Sequence, residues 1–324
     1  MRLSIIIPVY KVEDWVGACL RSVLSSTHDD YEVIVVNDGT PDDSMVVAKS
    51  VIENDPRVRI LEQDNSGLSA ARMAGLALSQ GEYVWFIDSD DFLDKGAIDI
   101  IFEALRCEDP DVLALPLHWT WPGGSKDYDD IVIDAPVHLD GKTWLREGRY
   151  VVCACQRYIF RRSIANPAWV FFPTQLLHED EYFARVMLYN AQKICIWAQP
   201  LYRYRQREKS IMSANSIRSS YDIVSIYRLL KHFCNEVVAP EDRSWFSCRC
   251  VEVLSLSYAH NANRIGSKEF SNFLRINKRF IIKEYLSCAS GRSLKTLIGD
   301  IYFLAAPKWY LQRHPLRYIS FGNL

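Results

Sequence analysis

Three apolar runs lack the in-and-out alternation of a half-exposed strand, and they limit what the first part of this chain can become. Leu3-Ser4-Ile5-Ile6-Ile7-Pro8-Val9, Glu32-Val33-Ile34-Val35-Val36 and Tyr83-Val84-Trp85-Phe86-Ile87 read as strands covered on both faces, as parallel strands are. Val58-Arg59-Ile60-Leu61-Glu62 predicts another strand. Helical patterns lie between them. Val12, Trp15, Val16, Cys19, Leu20, Val23 and Leu24 recur at helical spacing, residues 42–54 form a second helix, and Ser66 to Arg72 open a third that ends before Gly81. Strands and helices alternating over the first ~90 residues predict an α/β chain with a doubly wound, mostly parallel, Rossmann-like sheet. In such sheets ligands bind outside the carboxyl ends of the strands.

Three polar clusters fall at those ends: Pro8-Val9-Tyr10, Asn37-Asp38-Gly39 and Asp88-Ser89-Asp90-Asp91. A polar turn would explain any one of them, since Asp and Ser are turn formers. Three on one edge make a site. The crowded carboxylates of the third cluster repel one another unless a cation sits among them. Mg²⁺ prefers one or two carboxylates plus substrate phosphate oxygens and waters, so a metal carrying a phosphorylated substrate fits.

Beyond residue 95 the pattern loosens. Strands are expected over 111–117 and 151–160, a loop or hairpin over 119–134, and short strands over 194–197 and 201–204. His178-Glu179-Asp180-Glu181 starts a helix whose apolar face is Phe183, Val186, Met187 and Leu188. From Asn215 onward helices dominate. The 324 residues, 49% hydrophobic and 24% charged, suffice for one large α/β domain or two ordinary ones. Leu3 to Val9 is too brief for a signal sequence, and no stretch reaches the ~18 apolar residues of a spanning helix. Nine cysteines without a Cys-x-x-Cys pair argue against a zinc site or disulfide framework and for a reducing cytosol. The net charge of −2 conceals a split. Residues 1–200 carry about 31 acidic and about 18 basic side chains, and the remainder about 9 and about 20. The acidic part suits a metal, and the basic part an anionic surface.

The order of motifs resembles the family-2 glycosyltransferases of the bacterial surface-polysaccharide type, inverting nucleotide-sugar enzymes of the GT-A fold. The matching stretches are Ser4 to Tyr10, Cys19 to Leu24, Val35 to Thr40, Asn65 to Arg72, Gly81 to Asp91, His178 to Phe183, and Tyr202 to Arg207 through Ser210-Ile211. Asn37 stands where the family often has Asp, and Met73 where it often has Asn. The resemblance implies a transferase domain over 1–213 and a mainly helical, basic region over 214–324. It implies that Pro8, Val9 and Tyr10 line the base pocket and that Asp38 accepts from the edge of the base. Gly67 lets the backbone approach the nucleotide, and Arg72 reaches base or ribose. Asp88, with Ser89, faces the ribose. Asp90, with Asp88, holds Mn²⁺ or Mg²⁺, and Asp91 supports that site. Arg207 and Ser210, with Arg205, close over the diphosphate. Asp180 is the expected base, with Glu179 the alternate.

The same resemblance implies a nucleotide-diphosphate sugar donor, UDP-linked in the first instance, and a glycan or lipid-linked acceptor in polysaccharide, lipopolysaccharide or capsule synthesis. The expected location is the cytoplasm, with the basic C-terminal helices resting on the anionic inner face of the membrane. No nucleic-acid partner is expected. Two other classes stay open at this point. A nucleotidyltransferase would show a Gly-rich basic signature after the first strand, where Val9-Tyr10-Lys11-Val12-Glu13 stands instead. A non-catalytic sugar-nucleotide-binding module would share the fold but not the activity. A processive synthase would need spanning helices.

Overall fold

The computed structural model describes residues 1–124, 127–147, 153–206, 217–259 and 267–288. Arg207, Ser210, the expected boundary at residue 213 and the basic stretch beyond Cys288 lie outside the described residues. The chain forms two compact units that interleave in sequence. The first takes Met1–Lys142, Ala154–Gln175 and Met187–Glu208; the second takes Thr143–Cys153, Leu176–Val186 and Lys209–Leu324.

The first unit opens with the predicted alternation: β1 (Leu3–Val9), α1 (Val16–Leu24), β2 (Tyr31–Asp38), α2 (Ser44–Ile52), β3 (Val58–Gln63), α3 (Leu68–Leu78) and β4 (Tyr83–Phe86). Every residue of β1 and β4 is buried. That is why their sequences do not alternate: helices cover both faces. β3 is the edge strand, and its Arg59 and Glu62 are exposed accordingly. Along the chain follow β5 (Phe92–Leu93), α4 (Ala97–Glu108), β6 (Val112–Ala114), β7 (Leu117–Thr120), β8 (Tyr128–Asp129), β9 (Val137–Leu139), α5 (Gly141–Glu147), β10 (Tyr158–Arg161), α6 (Glu179–Asn190), β11 (Ile194–Ile196) and β12 (Tyr202–Arg205). The large sheet has the order β3-β2-β1-β4-β10-β6-β11-β9. Its strands are parallel except for β10 and β9, which run against their neighbours. A small sheet, β5-β12-β7-β8, stands apart from it.

Several expectations are corrected. The strand over 111–117 is two strands in two sheets, β6 and β7, because Pro116 lacks the N–H that would continue the ladder. The strand over 151–160 reduces to β10: Ala154 takes a φ of +73°, and a 3-10 turn fills Cys155–Arg157. α1 starts at Val16, four residues late. Lys11 has a φ of +54°, and the N–H groups of Lys11 and Val12 donate to Thr40 Oγ1 and Ser44 Oγ, both at 2.8 Å. Those side chains hold the start of the β1–α1 loop out of the helix, and a turn over residues 13–15 follows. α4, β9 and α5 answer to no sequence expectation, although α4 carries a buried stripe of Ala97, Ile98, Ile101, Ala104 and Leu105 at helical spacing.

The second unit is helical among its described residues: the start of α6, then α7 (Ile217–Glu236), α8 (Arg243–Val251), α9 (Val253–Ala259) and α10 (Lys268–Ser287). Ser267 caps α10 by accepting from the N–H of Phe270. α10 buries Phe270, Phe273, Ile281 and Tyr285. Glu284 on that face is paired, taking the Tyr227 hydroxyl at 2.8 Å and Lys231 Nζ at 2.6 Å, as a buried carboxylate must be. No helix among the described residues is long and apolar enough to cross a membrane.

Candidate active site

The sheet register brings three strand ends together in the first unit. Val9 pairs with Asn37, Ile6 pairs with Phe86, and the N–H of Ile87 donates to Ile6 O at 3.0 Å. Pro8 and Val9 are buried, while the ring of Tyr10 is 40% exposed beyond them. Asp38 is buried, and its carboxylate organises the loop that leads into α3. Oδ1 accepts from Ser66 N at 2.8 Å and Gln63 Nε2 at 2.7 Å, and Oδ2 accepts from Gly67 N at 2.9 Å. Four acceptor positions exist on a carboxylate, so one on Oδ2 remains for a ligand. Gly67 has a φ of +87°, and a Cβ there would meet nothing within 4 Å. Glycine is therefore demanded by the backbone angle, and open space lies where a nucleotide could approach.

The aspartates beyond β4 form an acidic corner. Single oxygens of Asp88, Asp90 and Asp91 lie within 4.8 Å of one another. Arg72 is only 2% exposed, and its Nη2 donates to Asp88 Oδ1 at 2.8 Å while its guanidinium lies over the Phe172 ring. Gln156 Nε2 donates to Asp88 Oδ2. Ser89 is buried. Asp91 is buried with both oxygens engaged: Oδ2 takes the Tyr202 hydroxyl at 2.6 Å and Oδ1 takes Arg205 N at 2.8 Å. The Tyr202 oxygen in turn accepts from Asp88 N at 3.2 Å. Burial, then the charges of Asp90 and Asp88, push the Asp91 carboxyl well above its usual range. The same three aspartates add to burial in raising the Cys19 thiol. The corner thus holds a negative field that a divalent cation would neutralise, and its hard oxygen donors fit Mg²⁺ or Mn²⁺. Asp88 and Asp90 could hold such an ion, with Asp91, whose oxygens are both hydrogen-bonded, behind them.

Arg205, expected on the diphosphate, ends β12 and is half-buried. Its guanidinium is sandwiched 4.5 Å from the Trp15 ring centre and 4.9 Å from that of Phe92, and its backbone serves Asp91. Gln156 and Tyr202 are the supporting residues that sequence reasoning did not single out. Tyr202 lay inside a matched motif; Gln156 carried no signal at all.

Glu179 and Asp180 belong to the second unit, half-buried in the first turn of α6. His178, at a φ of +64°, opens the helix, and its carbonyl accepts from Glu181 N at 3.1 Å. Its Nε2 lies 2.7 Å from Ser219 Oγ, and Leu177 N donates to Asp222 Oδ2 at 3.1 Å, so α7 fixes this start. Glu181 is buried and paired with Arg185 on its own helix. That pairing separates Glu181 from the two acids before it.

Residues 4–165, half of the chain, match the sequence profile of glycosyl transferase family 2. The chain belongs to that family. Among its relatives, the uncharacterized glycosyltransferase EpsJ of Bacillus subtilis (strain 168) is 29% identical over 95% of this chain and 93% of its own length. The uncharacterized glycosyltransferase YibD of Escherichia coli (strain K12) is 30% identical over 65% of this chain. The match spans 63% of YibD, under two thirds of its length. The structure of S. aureus TarS 1–349 in complex with UDP-GlcNAc superposes with a TM-score of 0.69 at 17% identity, covering 95% of this chain and 88% of that 1–349 chain. The two share the fold, so the large mostly parallel sheet is that of a GT-A glycosyltransferase.

Proposed function

We propose that this family-2 chain transfers a hexose from a nucleotide-diphosphate sugar to a hydroxyl of a glycan or lipid-linked acceptor, with inversion, in assembly of a bacterial surface polysaccharide. The observation that carries the reading is the convergence of Asp88, Asp90 and Asp91 at the carboxyl end of β4. Beside them Asp38 and Gly67 shape an open approach, and Tyr10 offers an exposed ring for a base. UDP-sugars head the candidates because TarS was solved with one.

In the proposed reaction the acceptor oxygen attacks the anomeric carbon from the face opposite the diphosphate. Its proton passes to the Asp180 carboxylate, the anomeric C–O bond breaks, and the nucleoside diphosphate leaves with the bonding electrons. Asp90 and Asp88 would hold a Mn²⁺ or Mg²⁺, which would supply Lewis-acid stabilisation of the departing phosphate. Arg72 and Gln156 hold Asp88, while Tyr202 and the Arg205 backbone hold Asp91, so the corner is rigid before a donor arrives. Arg207 and Ser210 remain the candidates for closing over the diphosphate.

α10 bears on location. It exposes Arg275, Lys278, Arg279 and Lys283 together with Ile276 (56% exposed) and Leu286 (55% exposed), the mixture that suits an anionic membrane surface. That mixture supports attachment to the cytoplasmic face of the membrane as part of the proposal.

The test is a panel of nucleotide sugars with and without Mn²⁺. Asp90→Ala should abolish the metal-dependent thermal shift by the donor. Asp180→Asn should keep the shift and lose transfer by about 10²- to 10⁴-fold, the usual weight of a general base. Full turnover by the Asn variant would disprove the base assignment.

A further inference from the structure

The small sheet carries an aromatic face that the donor chemistry does not use. Tyr204 on β12, Trp119 on β7 and Tyr128 on β8 are register partners in sequence across three strands, so their side chains share one face. Trp119 lies 4.4 Å from Tyr204 and 6.0 Å from Tyr128 between ring centres, the latter pair within 5° of parallel. Trp121 joins them at 5.7 Å from Tyr128. At its inner end the same face is core, where Leu117 and Tyr202 pair and are buried. Toward the strand tips it emerges: Tyr128 is 49% exposed, and Trp119, Trp121 and Tyr204 are half-buried.

The rings are fixed in place by polar anchors. Asp130 Oδ2 accepts from the Trp119 indole N–H at 3.2 Å and from the wholly buried Arg157 at 2.5 Å. Asp127 Oδ1 accepts from Trp121 N at 2.9 Å. The buried inner end of the face backs onto the acidic corner. Tyr202, two residues before Tyr204 and thus about 7 Å away along β12, holds Asp91 through its hydroxyl.

We infer that this face is the acceptor-saccharide subsite, binding the acceptor through the C–H face of a pyranose ring. The inference rests on the glycosyl-transfer reading of the corner beside it. Aromatic faces carry negative quadrupole charge and attract the polarised C–H groups that line one side of a pyranose. Indole and phenol edges meet the hydroxyls around its rim. A short oligosaccharide lying on it would present its end to the corner from which the donor sugar departs.

Calorimetric titration of the full chain with chitotetraose, cellotetraose and mannotetraose tests this, with the UDP-GlcNAc and Mn²⁺ thermal shift measured on the same samples. Wild type should bind at least one tetrasaccharide saturably. Tyr128→Ala and Trp121→Ala should each weaken it about tenfold, Tyr128→Phe should retain it, and the donor shift should match wild type in all three. Binding of none of the three sugars, or binding unchanged in both alanine variants, overturns the inference. Ring-dependent sugar binding without any donor shift across the nucleotide-sugar panel would instead sink the donor reading and leave the saccharide face standing.

Discussion

Tyr202 does two jobs with one oxygen. It donates to Asp91 and accepts from the backbone of Asp88, joining the two ends of the acidic corner at a buried point. Tyr202→Phe keeps the ring against Trp85 but strips both bonds, leaving a half-buried N–H and a buried carboxylate oxygen short of a partner. The expected loss is about 1–3 kcal/mol, read as a lower urea midpoint at unchanged slope. An unmoved midpoint would mean the bridge contributes nothing. Asn37 illustrates the same scale. Its Oδ1 takes the Thr40 N–H at 3.0 Å while its Nδ2 donates to Glu62. The Asp frequent elsewhere in the family would set two carboxylates against each other here. The aspartates were legible because four neighbours in sequence form one cluster. Gln156 and Tyr202 reach Asp88 from 68 and 114 residues away, and a single sequence carries no record of such pairings.

At the scale of elements, the loop between β3 and α3 is held by one carboxylate, Asp38, and by one permissive backbone, Gly67. Gly67→Ala meets no steric obstacle, so its whole cost is the positive φ, about 1–3 kcal/mol. A matching drop in thermal midpoint, with weaker donor binding, is the expected result; a variant that melts like wild type would show that the loop adopts another course. β1, β2 and β4 could be drawn from the sequence to within a residue or two because burial on both faces leaves an unbroken apolar run. Short strands escaped that logic. β5 and β9 hold two and three residues, too few to show a period, and β6 and β7 were separated only by the sheet change at Pro116.

Across the whole molecule, the acidic part of the chain contains the aspartate corner and the basic part contains α10. If α10 meets a membrane through its cations, Arg275→Gln, Lys278→Gln and Arg279→Gln together should weaken flotation with phosphatidylglycerol vesicles about a hundredfold, at about 1 kcal/mol per charge. Equal flotation of variant and wild type would remove that role. The sequence alone determined the alternating α/β plan, the sheet edge where the polar clusters gather and the aspartates that crowd it, since each depends on contacts within a few residues or on a local period. Only the tertiary structure decided that Arg72 is buried against Asp88, that Arg205 lies between Trp15 and Phe92, and that Trp119, Tyr128 and Tyr204 share one face. Those arrangements depend on which distant strands become neighbours, and strand pairing is settled by the packing of the assembled core rather than by any segment read on its own.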